Sequence, residues 1–192
     1  ATVILTGPVA GTSFTWTNSL PSVGLSVNGG GSIASFTATN TGSTTVTANI
    51  VITPTANGCV GPTRSFAITV HPTPWLSSSL TPPAICDSTA FVYLPTTAVS
   101  GASFVWSRAG IQGINNGSGG SGINQIAEVL WNDGTEDITV VYQITITANG
   151  CSITQNVSVV VHPTPLLVYL HQKDQKKGRI VTISCPGLST MT

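Results

Sequence analysis

Few residues of this sequence are equipped for chemistry. They are four cysteines (Cys59, Cys86, Cys151 and Cys185), three histidines (His71, His162 and His171) and one acidic run, WNDGTEDI, from Trp131 to Ile138. The cysteines fit no CxxC zinc or redox spacing. No GxSxG, HExxH or phosphate-binding glycine loop is present. Asp133, Glu136 and Asp137 carry the oxygen ligands that Ca²⁺ takes, and are weak candidates for metal. Their spacing is not that of an EF-hand, and such a string reads first as a solvated turn between strands. Residues 1–74 contain no Asp, Glu or Lys, so acid–base catalysis lacks its usual groups there. We therefore expect no enzyme, no cofactor and no metal centre.

What remains for the cysteines is disulfide formation in an oxidising, extracytoplasmic setting. Cys86 and Cys151 form a matched pair, and a bridge between them would close a loop of roughly 65 residues, worth about 4 kcal/mol on the chain-entropy model. Cys59 has no such neighbour. Cys185, in the tail segment VTISCPG, is its candidate partner, supplied by another subunit; the alternative is that residues 1–192 are cut from a longer array, with Cys59 and Cys185 both free.

The elements that must position these residues come in two copies. SFTW at Ser13 returns as SFVW at Ser103, TANGC at Thr55 returns at Thr147, and HPTP at His71 returns at His162. The anchors define a repeat of about 91 residues, the size of an immunoglobulin-like sandwich. The boundaries follow: repeat one is 1–74, repeat two is 75–165, and 166–192 is a tail. Within each repeat the apolar residues alternate with period 2, as in TTVTANIVI, SFAITV, DITVVYQITI and NVSVVV. The Asn-Gly of each TANGC suits a tight hairpin turn, and each HPTP ends a strand and starts a semi-rigid linker. NGGGS (28–32) and NNGSGGSG (115–122) read as loops. The fold class is all-β: two tandem immunoglobulin-like sandwiches and a strand-forming tail. Repeat one begins only twelve residues before its SFTW, so its first strand is missing. The tail has the length and the VTIS alternation to replace that strand in a neighbouring subunit.

Charged residues are 6% of the chain, against roughly 25% in ordinary soluble domains. With zero formal net charge, nothing directs the protein to nucleic acid or acidic lipid. A neutral, weakly charged surface favours association. No apolar run is long enough for a membrane-spanning helix. The basic segment HQKDQKKGR (171–179) offers a contact for an anionic polysaccharide, although a solvated linker is the plainer reading. Trp16 and Trp106 follow equivalent SF dipeptides and are expected in the core. Trp75 and Trp131 have no counterparts and are weak candidates for stacking on a sugar.

The order of an early IC strand, SFVW, the glycine-rich INNGSGGSGI, VVYQITITANGC and a closing VSVVVHPTP resembles a known group. It is similar to the PKD-like, immunoglobulin-like repeats that occur in tandem in large secreted surface proteins of Bacteroidetes-type bacteria. The resemblance covers Cys86–Pro165 and Val3–Pro74. It implies an extracellular, cell-surface β-sandwich serving as a stalk, adhesin or fibre, without catalysis. In the same group, DST (87–89) resembles a short O-glycosylation signal, making Ser88 a candidate; Asn116 and Asn156 head the two N-x-S sequons. The expected partner is a second copy of the chain, in a head-to-tail filament or a tandem array. A carbohydrate-binding accessory domain is the alternative.

Overall fold

The computed structural model describes residues 2–114 and 119–165. The chain packs as two compact units, one containing Ala1–Trp75 with Ala98–Ala102 and Thr147–Ile153, the other containing Leu76–Thr97, Ser103–Ile146 and the described residues from Thr154 on.

Repeat one is built on β1 (Ser13–Asn18), β2 (Asn28–Gly30), β3 (Val46–Ala56), β4 (Cys59–Val60) and β5 (Arg64–Val70). β1 lies between β2 and β3, and both β4 and β5 pair antiparallel with the far side of β3. β-Branched residues dominate β3, whose Ala48, Ile50 and Ile52 point into a core shared with Trp16, Val23, Leu25 and Ile33. The β3–β4 turn has Asn57 and Gly58 at φ of 51° and 77°, the left-handed pair that a type I′ hairpin requires.

Repeat two contains β6 (Ile85–Cys86), β7 (Thr89–Tyr93), β8 (Ser103–Ala109), β9 (Gly119–Ile123), β10 (Ile126–Leu130), β11 (Ile138–Ala148) and β12 (Cys151–His162). One sheet runs β6-β12-β11-β8-β9 and a second pairs β10 with β7. Their inner faces meet through aromatic rings: Phe91 of β7 lies 5.3 Å from Tyr142 of β11, which lies 5.8 Å from Trp106 of β8. This is a β-sandwich. The β11–β12 turn repeats the left-handed pair at Asn149 and Gly150.

The glycine-rich stretches are strands rather than loops over Asn28–Gly30 and Gly119–Gly122, while Gly31 and Ser32 form a bend. β2 and β9 pair with β1 and β8, and their glycines make room for the tryptophans. A Cβ on Gly29 would fall within the Trp16 ring, and one on Gly122 would lie 2.8 Å from Trp106. Trp16 and Trp106 are both buried, as the equivalent SF dipeptides suggest.

A second shared device escaped the sequence reading. Asn40 donates from Nδ2 to the carbonyls of Thr44 and Val70, at 2.8 and 2.9 Å. Asn132 donates to the carbonyls of Glu136 and Val161, both at 2.8 Å. In each repeat the Oδ1 of the same asparagine accepts the N–H two residues on, from Gly42 or Gly134. The motif N-x-G thus closes a loop and ties it to the last strand, satisfying carbonyls that would otherwise be costly to bury.

Candidate functional site

The equivalences just described align β5 with the second half of β12, residue for residue. Val70 corresponds to Val161, Ile68 to Val159 and Phe66 to Val157. The sequence periodicity is the same, yet the burial is not. Val157, Val159 and Val161 are 0% exposed, whereas Phe66, Ile68 and Val70 are only half-buried.

The cause lies on the outer edge of these strands. β12 is flanked there by the segment opening repeat two. Leu76 N–H donates to Gln155 Oε1 at 2.6 Å, Ser158 N–H to Leu80 O at 2.9 Å, and β6 pairs parallel with Val161 and His162. The chain then turns at Ser88 (φ 59°) into β7, which pairs antiparallel with β10 and inserts Phe91 and Tyr93 into the core. Among the described residues, β5 pairs with β3 alone and no strand of repeat one corresponds to β6, while β7 is represented by one antiparallel bridge, Val3 with Ile33, which matches the Tyr93–Ile126 pair. The counterpart of β10 begins at the bridged Ile33, and no strand continues from it over residues 34–45. One consequence is visible at the tryptophans. Trp106 Nε1 donates to Gln125 O just before β10, at 3.2 Å, while the buried Trp16 Nε1 finds no hydrogen-bond partner.

At the Arg64 end of this edge lies a cleft of about 860 Å³, lined by Ile4, Leu5, Val9, Phe14, Val60 and Arg64 among others. Ile4 and Val60 are 75% and 72% exposed, high values for large aliphatic side chains. The open edge of β5 and its apolar surroundings form the candidate site, and what they can do chemically is pair with an extended strand.

The predicted Cys86–Cys151 bridge is corrected by the register. Cys86 pairs with His162, eleven positions along β12 from Cys151, a separation of about 36 Å at the rise of a β-strand. A disulfide needs Cα atoms within about 7 Å. β6 runs parallel to β12 and delivers Cys86 to the end opposite the hairpin that carries Cys151. Cys59, exposed at the hairpin of repeat one, pairs with Ala56, ten positions along β3 from the Val46–Val70 pair. Cys185 and the tail 166–192 lie outside the described residues, as does Asn116.

The acidic run is the asparagine-pinned loop. Asp137 contacts His162 Nδ1 at 2.7 Å, and the same histidine in repeat one, His71, meets Thr45 Oγ1 at 2.9 Å. Repeat one closes its loop in the same way without a carboxylate. Among the described residues no group of three His, Cys, Asp or Glu side chains is placed to hold a metal ion, Asp133, Glu136 and Asp137 included. Asp87 serves the same end of repeat two: it accepts from Asn132 N–H at 2.7 Å and from Thr164 Oγ1 at 2.6 Å. Partial burial raises its pKa, but these bonds and those from Ser88 outweigh that and hold it below the usual carboxylate range. Ser88 and Asn156 are exposed, and Trp75 and Trp131 are 38% and 40% exposed, each in a different unit.

A buried polar cluster in repeat two was not anticipated. Arg108 Nε donates to Glu128 Oε2 at 2.7 Å, with the arginine side chain 0% exposed, and Tyr142 OH donates to the same oxygen at 2.7 Å. Gly120 leaves space for the carboxylate, which a Cβ there would strike. Burial first, then the hydrogen bond to Glu128 and its charge, push the Tyr142 phenol far above its ordinary range. Tyr142 therefore stays neutral when folded but ionises near pH 10 when unfolded. Its contribution is present below pH 10 and falls as pH rises beyond it. Denaturant titration of the protein between pH 8 and 11 should show repeat two losing stability above about pH 10, with a shallower decline in Tyr142→Phe.

A β-sandwich, accompanied by a related β unit whose last strand has an open edge among the described residues, is the class of protein that fold and site define. Residues 83–165 match the family model of the PKD-like domain. No curated protein matches the chain. Solved structures with some likeness include the insect immune protein hemolin, at 13% identity and a TM-score of 0.32, covering 83% of this chain and 44% of that one. Cadherin-like domains 1 to 4 of zebrafish RET share 8% identity at a TM-score of 0.26, covering 80% of this chain and 41% of that one. The chain thus spans less than half the length of either. No helix among the described residues is long and apolar enough to cross a membrane.

Proposed function

We propose that the chain is a non-enzymatic structural module of an extracellular fibre or adhesin stalk, built from tandem immunoglobulin-like domains at 1–74 and 75–165. It self-associates head to tail by strand addition, with residues 166–192 as donor. The observation carrying this reading is the unequal burial of two matched strands: Phe66, Ile68 and Val70 stay half-buried where Val157, Val159 and Val161 are sealed. Strand addition supplies backbone hydrogen bonds to an exposed edge and side chains to an incomplete core. The PKD-like match of repeat two and the scarcity of charge both fit an assembled surface protein. A head-to-tail contact that does not close on itself produces a filament. Electron microscopy of the concentrated protein should show filaments of regular repeat; monodisperse single particles at all concentrations would refute the assembly.

A further inference from the structure

The open edge has a direction. Repeat two contains both an acceptor strand and the segment that covers it, and so acts as an internal template for how the open edge of β5 is filled. There the completing segment arrives beside Gln155, runs parallel to β12, passes Ser158 and reaches Cys86 opposite His162. Gln155, Ser158 and His162 correspond to Arg64, Ala67 and His71. Ala67 N–H is thus the counterpart of the Ser158 N–H that donates to Leu80 O at 2.9 Å.

We propose, resting on the strand-addition reading, that residues 180–184 of a second copy (IVTIS) pair parallel with β5 and travel from its Arg64 end to its His71 end. The occupant is argued from sequence and length. The 27 residues beyond Pro165 include one alternating run, in which Val181 and Ile183 are two apart and match the spacing of Ile68 and Val70. In a parallel pair, side chains opposite one another share a face, as Ile85 and Val161 do. Val181 and Ile183 then cover Ile68 and Val70, and the polar Thr182 and Ser184 face outward. The Arg64 end receives the donor beside the apolar cleft, where Leu166–Leu170 (LLVYL) supply matching side chains.

The direction fixes where the donor cysteine emerges. Cys185 follows the strand and comes out beside His71. Cys59 lies toward the other end of β3, ten pair positions from Val70, which is about 34 Å. A donor running this way cannot close a disulfide onto Cys59. That bridge would demand an antiparallel donor, for which repeat two offers no precedent.

Cysteine cross-linking of the full-length chain tests orientation, occupant and assembly separately. In a Cys59→Ser background, His71→Cys and Thr63→Cys are compared under mild oxidation after sedimentation has established assembly, and linked peptides are identified by mass. The expected result is a peptide joining position 71 of one copy to Cys185 of another, with loss of that linkage in the Thr63→Cys protein. Assembly with the linkage at position 63 instead overturns the parallel direction while leaving strand addition standing. Assembly without any linkage through Cys185 overturns the tail as occupant. Failure to assemble overturns the proposal together with the reading beneath it. Should His71→Cys not fold, Thr45→Cys on the neighbouring strand end, which meets His71 at 2.9 Å, takes its place with the same outcomes.

Discussion

Arg108→Met costs repeat two about 3–5 kcal/mol of stability, because it strands the Glu128 carboxylate inside the sandwich. Glu128 accepts two bonds at 2.7 Å, one from Arg108 Nε and one from Tyr142 OH. Only the tyrosine remains in the variant, and a neutral hydroxyl does not offset the desolvation of a carboxylate. The double variant Arg108→Met with Glu128→Leu is expected to regain most of the loss. It removes both charges and fills their space with apolar side chains, an exchange that is often neutral for a buried pair. Chemical denaturation of both variants, followed by far-UV circular dichroism and total tryptophan fluorescence, reads the difference. A double variant as unstable as the single one would show that packing, rather than charge, sets the cost.

Gly29→Val is the second large effect, and Gly30→Val is its control. The two glycines are neighbours in one strand of three residues, so propensity treats them alike. Their surroundings do not. A side chain at Gly29 must displace the Trp16 ring from the core of repeat one, whereas a Cβ at Gly30 has the Phe14 carbonyl, 3.8 Å away, as its nearest neighbour. Overpacking of this kind costs about 1–3 kcal/mol, and more where, as here, the obstacle is a buried indole. Gly30→Val should be neutral or slightly stabilising, since valine suits an edge strand better than glycine. Thermal unfolding of the two variants checks the contrast; equal losses would contradict the account of why these strands are glycine-rich.

Both predictions rest on features the sequence announced only in part. The long strands and the Asn-Gly hairpins were legible, because period-2 patterns and left-handed turn residues are local signals. The glycine-rich strands were not. Glycine ordinarily marks loops, and only the three-dimensional placement of Trp16 and Trp106 shows why an edge strand here must lack side chains. The cysteines were misjudged for a different reason: linear order says nothing about whether an opening strand runs parallel or antiparallel to the last one, and that choice moves Cys86 by the length of β12. The Asn40 and Asn132 pins left a trace in N-x-G at matched positions, but the acidic residues around Asn132 drew attention to metal instead. The open edge was half legible. The period-2 pattern of SFAITV marks β5 as a strand, and the half-exposed Phe66, Ile68 and Val70 show that it is not sealed as β12 is.

Hydrogen exchange at β5 tests the central claim most directly. The outward amides of this strand, Ala67 N–H among them, have no strand partner among the described residues, while the matching Ser158 N–H is bonded to Leu80. If a donor strand completes repeat one, the peptide spanning residues 64–70 becomes protected as the full-length protein is concentrated into assemblies, approaching the protection of residues 155–161. Assemblies that form while residues 64–70 keep the exchange rate of the dilute protein would contradict it.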